Sequence, residues 1–151
     1  MSEILGSSLP EEAYRLLRSK IPTVIVATVS EEGRPNTTPI HLAWAKDRNT
    51  ILMGMAKRHD GTKNIEETGK AMICMCEKGD VNVSIYGTAK VMKEQMDCNE
   101  HMSIIKFDVE QVKDDSTHSR TTSGIRWESK TAAGDKFIED IFNELECTEI
   151  S

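Results

Sequence analysis

The chain has 151 residues, 38% of them apolar, and a net charge of -6. That length and apolar content allow a packed core and argue against disorder, while the acidic balance argues against non-specific binding to nucleic acid or an anionic membrane. No apolar run approaches the ~20 residues of a membrane helix and the N-terminus lacks a basic-then-apolar leader, so the expectation is a cytoplasmic protein.

Ser8-Leu9-Pro10-Glu11 reads as a helix start, with Ser8 as N-cap and Glu11 at the capping-box position. Leu9, Ala13, Leu16 and Leu17 continue it as an apolar stripe that Pro22 ends. Thr23 to Val29 is a β-branched run, apolar on both faces and so central in a sheet, and Glu31-Glu32-Gly33 turns the chain. The second strand, Asn36 to Ala45, carries Pro39 and follows Pro35; each proline removes a backbone donor, which places its start at an edge or a bulge.

Asp47-Arg48-Asn49 leads into a third strand, Thr50 to Ala56. After the cationic link Lys57-Arg58-His59-Asp60-Gly61-Thr62, a helix of about two turns over Lys63 to Thr68 ends at Gly69. Lys70 to Glu77 returns as a strand, and Val81 to Val91 follows with a strict period of two. Gly87 in its middle suits a barrel corner. A strand near Ser103 to Val112, a polar loop to Ser123, and an amphipathic helix on Phe137, Ile138, Ile141, Phe142 and Leu145 complete the chain.

These elements predict a mainly β fold with peripheral helices: a small barrel of about six strands, with a short inserted helix and a helix at each end. The expectation is one domain over 1–151, its core at about 21–112 and a C-terminal loop and helix over 113–151. Cys74 and Cys76 share one face of their strand, awkward geometry for a disulfide, so the cysteines read as reduced structural thiols. The histidines His41, His59, His101 and His118 show no zinc spacing, and no metal site is expected. Nucleophile elbows, phosphate-binding P-loops and dinucleotide fingerprints are absent from the sequence.

Lys57, Arg58, His59 and Lys63 are concentrated in one short stretch of an acidic chain. Cations beside a helix N-terminus suit a phosphate monoester, with Thr62 as an added hydroxyl donor. A solvated basic loop capped by Asp60 or Thr62 explains the same spacing equally well.

The order of elements from Thr23 to Glu94, with Arg34-Pro35-Asn36-Thr37-Thr38-Pro39-Ile40 and the cationic link, resembles the pyridoxamine 5'-phosphate oxidase-like flavin-binding split barrels. The resemblance implies a six-stranded FMN-binding split β-barrel, homodimeric, with FMN between the subunits. In that family the cationic link holds the flavin phosphate. Thr62, Lys63 and Asn64 match its pattern, with Thr62 where relatives often carry Arg and Ala56 where many carry Thr. Lys57 and Arg58 supply further cations. Residues matching Thr38, Pro39 and Ile40 line the isoalloxazine ring largely through backbone groups. Asn82 matches a polar position reaching the flavin from the partner subunit.

The implied activity is a flavin-dependent oxidoreductase working by ping-pong redox on a small-molecule substrate, with catalytic residues unassigned because the cofactor carries the electrons. The C-terminal Arg-x-His element of full-length pyridoxamine phosphate oxidases has no counterpart, since His118-Ser119-Arg120 runs the other way. The resemblance therefore does not carry that oxidation as the reaction. Arg126 and Trp127 read either as rim packing or as a cover for flavin or an acidic substrate. Alternatives within the fold are a deazaflavin cofactor, haem with a histidine ligand, and a non-enzymatic electron carrier or redox sensor.

Overall fold

Alternating inward and outward residues build one curled antiparallel sheet around the main core. The computed structural model describes residues 3–150. In chain order these form β1 (Glu3–Gly6), α1 (Glu11–Arg18), β2 (Val24–Val29), β3 (Pro35–Ile40), β4 (Ala43–Ala45), β5 (Thr50–Ala56), α2 (Asp60–Thr68), β6 (Lys70–Glu77), β7 (Val81–Lys93), β8 (Met102–Asp114) and α3 (Ala132–Cys147). The sheet order is β3-β2-β6-β7-β8-β5-β4. β8 pairs with β7 along one side; along its other side it pairs first with β5 and, near its end, with β1.

The mainly β split-barrel architecture agrees with the sequence, but the strand count does not: the described residues form eight strands rather than about six. The stretch expected as one strand, Asn36 to Ala45, divides into β3 and β4 around His41-Leu42, because β3 pairs with β2 while β4 turns away to pair with β5. β1 has a burial pattern exposed throughout, so no apolar alternation announced it. Two helix starts also move. α1 begins after Pro10, which occupies the cap position without a side-chain cap, while the Leu9 N–H donates to the Arg48 carbonyl at 2.8 Å and fixes the chain's entry. α2 begins at Asp60 because His59 Nδ1 accepts from the Gly61 N–H at 3.2 Å.

The barrel interior gathers Ala13 and Leu17 of α1 with Val24, Val26, Met53, Met55, Ile73, Met75, Ile85, Phe107 and Val112. A second cluster lies outside it, where Ile141, Phe142 and Leu145 of α3 cover Leu42, Trp44, Leu52 and Ile104. Gly54 allows that contact, since a Cβ there would stand 2.8 Å from Ile141 Cγ2. α2 is anchored across β2 by Asn64 Nδ2 donating to Thr28 Oγ1 at 3.0 Å and by Thr68 Oγ1 donating to the Val29 carbonyl at 3.0 Å. Those bonds aim its N-terminus at the ends of β3 and β5. No helix among the described residues is long and apolar enough to cross a membrane.

Candidate functional site

Three segments meet at the N-terminus of α2. The end of β5 is held to the helix by Thr62 Oγ1, which donates to the Ala56 carbonyl at 2.8 Å from a fully buried position. The His59 N–H donates to the same carbonyl at 3.1 Å, so the link folds back tightly. His59 Nδ1 also lies 3.5 Å from Thr38 Oγ1, bringing β3 to the helix cap. Gly61 fits into this junction, where a Cβ would stand 3.1 Å from Met55 Cε and 3.5 Å from Thr38 Oγ1.

Two clefts flank this point. One, of about 400 Å³, opens between the β2–β3 turn and the first turn of α2, with Arg34, Asn36, Lys63 and Asn64 in its wall beside Glu31, Asp60 and Glu67. The other, of about 460 Å³, is lined by Ala56, Lys57, Arg58, Gln95, Glu100 and His101. Lys57 Nζ donates to the neutral Gln95 Oε1 at 3.1 Å, so its charge is not cancelled there. Lys63 is 71% exposed and only 4.0 Å from Glu67 Oε1, a loose pairing that leaves it able to meet an anion.

β3 is an edge strand, paired on one side only, in unbroken register from Val24 opposite Ile40 to Val29 opposite Pro35. Its start is thus an edge, as the prolines indicate, and not a bulge. Backbone groups of an antiparallel strand point alternately to one neighbour and the other. Pro35 and Pro39, lacking donors, share the parity of Thr37, so the outward edge offers the Thr37 N–H and the carbonyls of Pro35, Thr37 and Pro39. The side chains of Thr38 and Ile40 face the core, while Pro39 is exposed. A flat heterocycle laid on this edge would meet backbone groups rather than those side chains.

The structure therefore brings Thr38, Ala56, Lys57, Arg58, Thr62 and Lys63 to one end of the barrel, with Pro39 and Ile40 continuing along β3. Asn82 lies elsewhere. It opens β7, whereas α2 reaches that strand near Ala89, whose N–H donates to the Gly69 carbonyl at 2.9 Å. That contact is at the C-terminal end of α2, roughly 20 Å of strand from Asn82, and Asn82 is in the wall of neither cleft at the helix N-terminus. Asn82 Oδ1 accepts from Thr121 Oγ1 at 2.9 Å, which turns its amide NH2 away from that bond.

Thr121 belongs to a strap over 115–131 that crosses the outer face of the sheet without helix or strand. Asp80 Oδ1 takes the Thr121 N–H at 2.7 Å. Further on, Arg126 forks onto Glu77, with contacts of 2.5 and 3.0 Å, and Glu77 also accepts the Lys78 and Gly124 N–H groups. The guanidinium outweighs burial and holds the Glu77 carboxyl below its ordinary range. Trp127 stacks on His41 with ring centroids 4.5 Å apart, and burial lowers the His41 pKa. Arg126 is thus committed to fastening the strap.

Sequence reasoning missed the roles of His59 and Glu77. His59 lacks the side-chain oxygen of an ordinary cap and sits in a cationic run, so the sequence points to Asp60 or Thr62 instead. Glu77, a carboxylate ending a strand, carried no signal until the strap was in place.

The family model described as pyridoxamine 5'-phosphate oxidase matches residues 10–122. Among curated proteins none matches. Among solved structures, a provisionally assigned pyridoxamine 5'-phosphate oxidase of Lactobacillus delbrueckii is 20% identical with a TM-score of 0.63, covering 74% of this chain and 98% of that one. The HupZ protein of Group A Streptococcus is 20% identical with a TM-score of 0.60, over 77% and 100% of the two chains. An FMN-binding protein of Syntrophomonas wolfei is 12% identical with a TM-score of 0.58, over 72% and 87%. At these identities the likeness is one of fold. With three-quarters of its length matched by the family model and the barrel shared with these structures, the chain belongs to the pyridoxamine 5'-phosphate oxidase family.

Proposed function

We propose that the protein binds FMN between two copies of the chain and acts as a flavin-dependent oxidoreductase on a small-molecule substrate. The observation that carries this reading is the meeting of Lys57, Arg58, Thr62 and Lys63 around the N-terminus of α2, beside the unpaired edge of β3. Lys63 and the helix N-terminus would hold the phosphate, with Lys57 and Arg58 adding positive charge from the neighbouring cleft. Thr62 acts from below, fixing the strand end to the helix, and the edge backbone at Thr37–Pro39 receives the ring. Asn82, outside both clefts of its own chain, reaches the flavin of the second copy with its amide NH2.

FMN, when bound, would supply the electron-transfer chemistry between two substrates. The chain's residues fix the phosphate, orient the ring and shape the space above it. The reading is supported by family membership and by the FMN-binding neighbour of the same fold.

The test is the absorbance spectrum of protein purified and incubated with FMN, followed by identification of the chromophore released on denaturation. A two-band flavin spectrum that stays with the protein through gel filtration is expected. Lys63→Ala should weaken FMN about fivefold, as for one exposed charge contact. Protein that ignores FMN abandons the reading. A solution mass near twice the 16.9 kDa chain is expected alongside, and a flavin-loaded monomer would remove the shared site.

A further inference from the structure

Between the outer face of the sheet and the strap lies a cavity of about 290 Å³ that the flavin reading does not use. Thr23, Ile25, Cys74, Cys76, Gly124 and Ile125 line it. Cys74 and Cys76 stand two apart on β6, so their thiols share the outer face, and neither is bridged. Thr23 is 7% exposed and its hydroxyl has no hydrogen-bond partner. Buried polar groups are nearly always satisfied, and one left open beside a cavity points to something that fills it.

We propose that this cavity is a dithiol site for a small thiophilic trivalent hydroxide, the class in which arsenous acid is the simplest member. Three observations select that class. First, two neighbouring unbridged thiols on one strand face can both turn to the same side of a pyramidal centre. Second, no group of three His, Cys, Asp or Glu side chains able to hold a metal ion exists among the described residues, so a divalent cation seeking four protein ligands would find two. Third, a trivalent centre bound to two sulfurs keeps one hydroxyl, and Thr23, in the cavity wall with its own buried hydroxyl unsatisfied, offers that hydroxyl a partner by rotating its side chain toward the cavity.

The exchange balances without oxidant. Two S–H bonds and two As–O bonds break, two As–S bonds form, two waters leave, and arsenic stays trivalent. Burial, with help from Cys76 and Asp115, pushes the Cys74 thiol up to about 11, so it is protonated at neutral pH. A metal cation would have to expel that proton into solvent, whereas a hydroxide ligand carries it off as water. The product is uncharged. Near the thiols stand Asp115, which accepts from Ser84 Oγ at 2.5 Å and pairs with Lys113, the Glu77–Arg126 pair, and His41 beneath Trp127. A neutral adduct is not repelled by Asp115.

The experiment adds arsenite to the reduced protein and reads intact mass under non-denaturing conditions. One arsenic per chain, bound with loss of two waters, is expected between pH 6 and 9 with little change in affinity. Cys76 is exposed, so Cys76→Ser should keep the melting temperature and lose the adduct, as should Cys74→Ser. The Cys98→Ser/Cys147→Ser double variant should retain it. Thr23→Val should raise the dissociation constant about two- to tenfold, the loss of one hydrogen bond. No adduct on the wild-type protein, an adduct that survives Cys76→Ser or follows Cys98 and Cys147, or unchanged affinity in Thr23→Val overturns the assignment.

Discussion

Gly87 sits where β7 passes tightly against β8, and Gly87→Ala tests whether that close approach sets the barrel's shape. The register between the two strands shifts between Tyr86 and Gly87, a bulge that bends the strand. A Cβ on Gly87 would fall inside van der Waals contact of the Asp108 carbonyl oxygen and 2.7 Å from Phe107 Cζ. Neither neighbour can give way cheaply: one is backbone in the longest strand pair, and Phe107 is fully buried. Overpacking in a core costs about 1–3 kcal/mol, and an obstruction by backbone belongs at the upper end, about 3 kcal/mol. For a chain of this size that lowers Tm by about 6–12 °C. Urea unfolding followed by circular dichroism should show a lower midpoint with an unchanged slope. A variant within about 1 kcal/mol of wild type would show that the strands separate easily here and that the bend does not depend on glycine.

The strap makes a pH prediction. The Glu77 pKa is depressed in the folded state, first by Arg126, so its contribution is present above the ordinary value of 4.5 and is lost as pH falls through the folded pKa. The stability gap between wild type and Glu77→Gln, read from urea midpoints, should therefore be wide at pH 7 and narrow well below 4.5; an equal gap at both ends refutes the ion pair's role. Arg126→Ala should speed limited proteolysis between Asp115 and Trp127, and an unchanged cleavage rate would mean that Thr121 and Trp127 hold the strap alone. His59→Ala removes the α2 cap and should cost about 1 kcal/mol, with His59→Asn recovering most of it; a thermal melt that ranks the two equally dismisses capping. Because the Cys74 thiol is pushed up to about 11, its alkylation by iodoacetamide, followed by peptide mass mapping, should be slow at pH 8 and rise about tenfold per pH unit toward pH 10.

Much of the architecture was legible because the strands obey local rules. Val81 to Val91 alternates strictly, and β7 covers it with two residues to spare. Pro35 and Pro39 announced an edge or a bulge, and β3 is an edge. The closing helix was visible in the spacing of Phe137, Ile141 and Leu145, which pack outside the barrel on Leu52 and Ile104. What escaped depended on partners distant in sequence. β1 exists because the end of β8 offers it a side, not because Glu3–Gly6 prefers a strand. Ser8 looked a better cap than Pro10, but the bond from Leu9 to the Arg48 carbonyl decides where α1 starts. At the site, charge density drew attention to the Lys57–Lys63 link, while the packing roles of Thr62 and His59 follow only from β3 and β5 converging on α2. Arg126 read either as rim packing or as a cover for a ligand, and Glu77, 49 residues away, takes both of its arms.

The two prolines of β3 also govern how copies of this chain can meet. An exposed strand edge normally invites another edge to extend the sheet, the first step toward uncontrolled aggregation. Here every second donor along the outward side is missing, so a second β3 laid alongside would find gaps in its ladder. Lateral stacking into long ribbons is thereby discouraged at that rim. A partner meeting this rim would have to be held by side chains, chosen by shape and not by a backbone ladder that any polypeptide can offer.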